Sequence, residues 1–366
     1  MKITNLKLTN FRNYEKLNLH FSNYKNIIIG NNGLGKTNIV EAIYYLSITK
    51  SFRTNNQEVL IRENSDFGVI EATVLNKIKN KYRVVITKDG KKIKIDNQEI
   101  TKLSDYISKV NVVLFNREDM KLIKDNPSVH RKLINMDLSG FNNNYLRLLS
   151  LYNKILKQRN SYLKILKNKM ADYDDYLDII TNKLIEVGLQ INKIRFDYIS
   201  EINLYLNHIF NKSVKKGDLY LKYVSNYNEK SYDDLLRDYK KSFNRDVNYG
   251  VTNIGVHLDD YIFELDGKLA KEYLSEGEQK SAVIAFKLSE VKYCMNKMNT
   301  TPILILDDLF SELDEKKINK IIGSFNKNFQ IFITTTDIKH LNKKLLTDCT
   351  LIKLTEKKVE VIDYEY

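Results

Sequence analysis

Two periodicities divide the chain. Residues 1 to about 115 run in short apolar segments separated by turn residues: "KITNLKLTNF", "LNLHF", "NIIIG", "FGVIEATV", "YRVVIT", "KKIKID" and "NVVLF". Such segments predict strands, and Asp89-Gly90 between two of them predicts a tight hairpin. Between Phe141 and Tyr249 the only glycines are Gly188 and Gly217. Apolar positions there recur at spacings of three and four: Leu177, Ile180, Leu184, Val187, Ile191, Ile194 and Tyr198. An earlier stripe runs Leu148, Tyr152, Ile155, Leu163, Leu166 and Met170. The pattern predicts two long antiparallel helices joined near 171–175. The longer, of about 35 residues, spans about 50 Å. Its heptad character fails at Glu201, which favours a helical bundle over a projecting coiled coil. From about 250 onward strands and helices alternate. "PILILDD" and "FQIFITTTD" are continuously apolar before their polar ends, the pattern of buried parallel strands. The expected architecture is an α/β domain made from both chain ends, 1–118 and 249–366, with a helical domain, 119–248, inserted.

One strand–turn–helix carries a specific motif. "NIIIGNNGLGKTNIVEAIYYL" fits the phosphate-binding P-loop at every fixed position, with a strand before it and a helix after it. Gly30, Asn31, Asn32, Gly33, Leu34 and Gly35 form the loop whose backbone N–H groups face phosphate oxygens. Glycine permits the tight path, and the helix N-terminus adds its positive dipole end. Lys36 is placed to reach the β- and γ-phosphates, and the Thr37 hydroxyl to coordinate Mg²⁺. Far downstream, "ILILDD" ends a buried strand in two acids. With a P-loop in the chain, Asp307 is the second candidate Mg²⁺ ligand, and Asp308 the candidate base for the attacking water. Asp308 can also simply cap the following helix.

Bulk properties narrow the class. The 366 residues carry a net charge of +13, which suits a polyanionic partner such as nucleic acid, although the charge is not gathered into one tract. Two cysteines without a CxxC or a His/Cys cluster argue against a disulfide framework or a structural zinc site. The N-terminus has no apolar leader core and no stretch is long enough to span a bilayer, so a cytoplasmic protein is expected.

"LSEGEQK" then acquires meaning. It resembles the signature motif of ABC-type ATPases, with Ser275, Gly277, Glu278 and Gln279 at matching positions and Glu276 where a glycine is usual. On its own the stretch also reads as a serine N-cap with a nearby glutamate. "SELD" at 311–314 resembles the D-loop of the same class. The end of "FQIFITTTD" holds Thr335, Thr336 and Asp337 where many ABC ATPases place a switch histidine. No clear Q-loop glutamine appears; Glu118 or Asp119 in "VVLFNREDM" is the nearest equivalent.

Taken in order, "LKLTNFRNYEKL", "IIIGNNGLGKTNIVEAIYYLSITKSFRT", "VVLFNREDMKLIKDNPSVHRKLIN", "YLRLLSLYNKILKQRN", "LSEGEQKSAVIAFKLSE" and "ILILDDLFSELDEKK" resemble the RecF family of SMC-like ABC-type ATPases over nearly the full length. The resemblance implies an ABC-type P-loop ATPase domain. It implies a weak, Mg²⁺-dependent ATPase that binds duplex and gapped DNA as an ATP-bound homodimer. Lys36 and Asp308 act in hydrolysis, joined by Ser275, Gly277 and Gln279 from a second copy. It implies RecR and RecO as partners in loading RecA at single-strand gaps. Aspartate at 308, where many relatives of the class carry glutamate, implies slow turnover. Arg12 in "NFRNY" is either a nucleotide contact or a surface cation beside an edge strand. Arg53 in "SFRT" either touches phosphate or fixes a loop. A long-range SMC tether, a transporter subunit and a small-molecule kinase are the alternatives. The short helical insertion, the missing Q-loop glutamine and the presence of "LSEGEQ" argue against them in turn.

Overall fold

The structure, a computed structural model, describes all residues except 171, 310–318, 320, 321, 324, 342–345, 357, 358, 365 and 366. The D-loop-like stretch at 311–314 therefore lies outside the described residues. The chain divides into two compact units, Met1–Asp119 with Glu290–Tyr366, and Met120–Ser289.

The first unit holds two sheets. β1 (Lys2–Phe11), β2 (Tyr14–His20), β3 (Lys25–Ile29), β4 (Phe67–Leu75), β5 (Lys79–Thr87), β6 (Gly90–Ile95), β7 (Gln98–Ile100) and β8 (Val112–Phe115) come from the N-terminal part. An antiparallel sheet runs in the order β2-β1-β4-β5-β6-β7. The predicted hairpin joins β5 to β6, but Thr87 pairs with Gly90, so the two turn residues are Lys88 and Asp89. Gly90 opens the return strand at φ 150°.

The second unit supplies β9 (Leu219–Val224), β10 (Asp260–Leu265) and β11 (Lys268–Leu269), and the C-terminal part adds β12 (Ile303–Leu306), β13 (Gln330–Thr335), β14 (Cys349–Leu354) and β15 (Val359–Tyr364). The other sheet of the first unit has the order β15-β14-β3-β13-β12-β8. Its four pairings from β14 to β8 are parallel, and β15 closes one edge antiparallel. Every residue of β8, β12 and β13 is buried. That explains their continuous apolar runs, since both faces are covered. Gln330, buried in β13, donates to the carbonyls of Ile3 (2.7 Å) and Ser22 (2.8 Å) and accepts from the Ile3 N–H (2.6 Å). Its amide is thus fully used in joining the two sheets, which an unpaired buried amide would instead weaken. Phe21 meets Phe332 edge-on at 4.8 Å beside it.

In the second unit, helices Asn143–Lys169 and Asp175–Asn211 form the expected pair. Contacts between 158 and 176, 159 and 181, and 145 and 195 run in opposite directions, so the pair is antiparallel. The helix continues through Glu201 to Asn211, past the end of its heptads. Two positions depart from the predicted stripe. Met170 caps the first helix in the left-handed region and is exposed. Arg195, not Ile194, takes the fully buried place, because Asp259 lies 2.5 Å from its guanidinium, with Tyr145 and the Val256 carbonyl completing its bonds. Arg159 and Asp246 form a second wholly buried pair at 2.8 Å. The unit does not stop at the expected boundary of 248. β10 pairs antiparallel with β9 along six residues, which ties the chain as far as Ser289 into the same unit.

Candidate nucleotide-binding site

β3 delivers the chain to the loop 30–35, and helix Lys36–Ile48 starts at its end. Gly33 and Gly35 sit at φ 87° and 98°, a region that side chains with a β-carbon enter only with strain. Gly35 is also the helix N-cap. A β-carbon there would come 2.7 Å from both the Tyr14 hydroxyl and the Asn13 amide. These two residues, the end of the β1–β2 turn and the first residue of β2, grip the back of the loop. The Tyr14 hydroxyl donates to Gly35 O (3.2 Å), and Asn13 Oδ1 accepts from the Asn38 amide (2.8 Å). Nothing in local sequence marks Asn13 or Tyr14 for this role, because the contact closes across some twenty residues. Asn31, Asn32 and Gly33 remain exposed.

Lys36 is buried and bends back along the loop, donating to Gly30 O (2.7 Å) and Asn31 O (3.0 Å). Burial lowers its ammonium pKa, and the carboxylates of Asp308 and Asp307 partly counter that. The Thr37 hydroxyl donates to Asp307 Oδ1 at 3.2 Å. β13 separates the loop strand β3 from the acid-bearing β12, and its Thr334 hydroxyl donates to the same Oδ1 at 2.7 Å. Asp308 N donates to that hydroxyl at 2.9 Å. Burial raises the Asp307 pKa above the usual carboxylate value, and the two hydroxyls pull it back. Asp308 has φ 53°, and its carboxylate lies 3.6 Å from Arg117, after β8. Lys36, Thr37, Asp307 and Asp308 are thus gathered at the ends of two parallel strands with β13 between them, where open α/β sheets place their ligands.

Arg12 is not aimed at the loop. Its guanidinium forks onto Glu41 of the P-loop helix, through Nε (2.9 Å) and NH2 (2.6 Å), and its NH1 donates to Val59 O (3.0 Å). Glu41 is fully buried and also accepts from the Ser51 hydroxyl. Arg53 reaches Glu41 at 3.4 Å and Asn38 Oδ1 at 2.8 Å. A buried carboxylate one turn into the helix needs such partners, and both arginines are spent on it. Thr335, Thr336 and Asp337 do not gather at the acids. The Thr335 hydroxyl donates to the Asp337 carbonyl, and the Asp337 side chain caps the next turn at Lys339. Asp119 is buried in reciprocal bonds with Asn116.

Ser275, Gly277 and Gln279 belong to the second unit. Ser275 and Glu278 exchange bonds at the start of helix Glu276–Asn296, Ser275 N to the carboxylate (2.8 Å) and Glu278 N to the hydroxyl (3.4 Å). The capping reading of the stretch is therefore realised. Bonds from Ser275 N and Lys216 lower the Glu278 pKa. Gln279 is buried and donates to the carbonyls of Lys271 and Leu274, holding the preceding turn. Ser275, Glu276 and Gly277 stay exposed, and a β-carbon at Gly277 would meet nothing within 4 Å. Capping and an outward-facing helix N-terminus coexist here.

A family model described as RecF/RecN/SMC N terminal domain matches residues 2–361. The DNA replication and repair protein RecF of Bacillus velezensis is 35% identical over 97% of this chain and 98% of its own. The chain belongs to the RecF family. The Bacillus subtilis protein of the same name is 34% identical over 97% and 98%. Among solved structures, the recombination mediator protein RecF of the RecFOR pathway with ATP superposes with a TM-score of 0.90 at 28% identity, covering 99% of this chain and 97% of that one. An Smc head bound to the C-winged helix domain of ScpA reaches a TM-score of 0.55 at 16% identity, covering 100% and 98%, and shares the fold alone. The fold is that of the SMC-type ABC ATPase head. No helix among the described residues is long and apolar enough to cross a membrane.

Proposed function

We propose that this protein is an ATP-gated DNA-binding protein of recombinational repair, acting in the cytoplasm and released from DNA by slow ATP hydrolysis. The observation that carries the reading is the array at the strand ends: Lys36 along the loop, Thr37 and Thr334 on one oxygen of Asp307, and Asp308 beside it. The left-handed glycines shape a backbone cradle for phosphates, and the helix start adds N–H groups. The Thr37 hydroxyl and the Asp307 carboxylate are hard oxygen donors on one side of that cradle. They suit Mg²⁺, which takes one or two carboxylates and draws its other ligands from phosphate and water. Bound there, Mg²⁺ neutralises charge on the β- and γ-phosphates.

Within this reading Lys36 leaves the loop carbonyls for the γ-phosphate, and Asp308 accepts a proton from the attacking water. The shorter reach of aspartate keeps that step slow. Ser275 and the exposed helix start at Gly277 meet the γ-phosphate of a second copy, so ATP is held between two chains. Gln279 holds the signature turn in shape from behind. The dimer closes a basic surface on duplex or gapped DNA, mainly through phosphates, and binding falls steeply with salt. RecR and RecO are the partners in this reading, supported by a solved relative of the RecFOR pathway, and the loading of RecA is the step they are proposed to serve. The two long helices, 27 and 37 residues, reach about 40 and 55 Å, too short for a long-range tether.

The deciding experiment measures mass in solution and gel shift on duplex and gapped DNA, each with and without ATP. The wild type doubles in mass and shifts DNA only with ATP. Ser275→Arg keeps ATP binding and loses both effects. If Ser275→Arg still dimerises, or Lys36→Ala holds DNA as the wild type does, the sandwich is wrong.

A further inference from the structure

We infer that Thr334 is a positioning residue for the hydrolytic centre, setting both acids from the strand between them; the inference rests on the ATPase reading above. Three observations carry it. Thr334 is wholly buried at the C-terminal end of β13, which lies between the loop strand and the acid-bearing strand. Its hydroxyl donates to Asp307 Oδ1 (2.7 Å) and accepts from Asp308 N (2.9 Å), so one group serves both neighbours in complementary senses. Asp308 holds φ 53°, a left-handed conformation that aspartate enters more readily than most side chains but that still needs local bonds to hold it. The bond from Asp308 N to Thr334 is one such constraint.

The hydroxyl therefore does two things. It orients the Asp307 carboxylate, sharing Oδ1 with Thr37, and so fixes the oxygens offered to a cation. It also sets the backbone of Asp308, and with it the direction of the candidate base. Of the residues at the family's switch position, Thr335 and Asp337 bond to each other, and Asp337 to the following turn. The hydroxyl that reaches the acids is one residue earlier.

The test compares Thr334→Val, which keeps the shape and loses the hydroxyl, with Thr334→Ser, which keeps the hydroxyl. Thr334→Cys, similar in size but a poor donor and acceptor, serves if valine fails to fold. Turnover, ATP KM and melting temperature are measured, together with the Mg²⁺ concentration that gives half-maximal binding of a fluorescent ATP analogue. The expected result for valine or cysteine is turnover down about tenfold to a hundredfold, KM within about threefold, and the Mg²⁺ midpoint raised. Serine restores turnover and the Mg²⁺ midpoint to within about threefold of wild type. The inference is overturned if valine leaves turnover and the Mg²⁺ midpoint unchanged. It is equally overturned if serine fails to rescue while melting temperature, KM and turnover fall together. Should the wild type bind ATP without hydrolysing it, the ATPase reading fails by itself, and the Mg²⁺ midpoint of valine against serine still decides Thr334.

Discussion

Replacing Arg12 by alanine separates two roles that sequence leaves equivalent. In the folded chain Arg12 makes two charge-assisted bonds to Glu41, at 2.9 and 2.6 Å, and Glu41 has no exposed surface. Such bonds are worth about 1.5–3 kcal/mol each, and breaking a buried pair from one side costs about 3–5 kcal/mol. The Ser51 hydroxyl stays, and Arg53 at 3.4 Å is 43% exposed and compensates weakly. The loss therefore falls at the lower end, about 3 kcal/mol. In a unit of about two hundred residues that lowers the melting temperature by about 6–12 °C. The chain has no tryptophan, so calorimetry is the suitable probe, paired with titration of a fluorescent ATP analogue. The expected outcome is a large loss of stability with ATP affinity changed less than about threefold at a temperature where the variant is folded. An Arg12→Ala protein that melts within about 2 °C of wild type and loses ATP affinity more than tenfold refutes the anchoring argument and returns Arg12 to the nucleotide.

Three further outcomes follow from the same geometry. Asp307→Asn is expected to raise the melting temperature of the nucleotide-free protein at neutral pH while abolishing Mg²⁺-dependent hydrolysis. The sign follows from its raised folded-state pKa: between the ordinary value of 3.8 and the folded value the native state holds the extra proton, so the wild-type contribution falls as pH rises through that window. A flat pH dependence of the wild-type minus variant difference contradicts it. Asp308→Asn is expected to keep ATP affinity and to lower turnover by about 10²–10⁴-fold, read from phosphate release. Unchanged turnover removes Asp308 as the base. Arg195→Leu strands Asp259, whose carboxyl burial already raises, and should cost about 3–5 kcal/mol in urea unfolding at neutral pH, with a smaller loss in acid, where Asp259 takes up its proton. An equal loss at both pH values argues that packing, not charge, is at stake.

Much of this was legible because the governing interactions are local. The P-loop needs glycines, a lysine and a threonine at fixed spacing on one strand–turn–helix. Strands buried on both faces favour unbroken apolar runs, and β8, β12 and the middle of β13 have them. A helix pair stripes at three and four, and the stripe failed at the helix end, Met170, and where charge overrode it, at Arg195. Its partner Asp259 is 64 residues away, and no window of periodicity contains both. The second unit extended beyond 248 for the same reason, since the β9–β10 pairing is made between strands separated by two helices.

The sequence by itself determined the chemistry on offer: a phosphate cradle, two adjacent acids after an apolar strand, and a serine-led helix start. Residue type and spacing along one segment suffice for those, because backbone conformation and side-chain reach are set within a few residues. Only the tertiary structure decided who serves whom. Strand order put β13 between the cradle and the acids, which made Thr334 rather than the following threonines the neighbour of both. The turn after β1 brought Arg12 onto Glu41 of the P-loop helix. Sheet order and the burial of charge are collective outcomes, fixed by which surfaces leave water together, and no single stretch of the chain carries them.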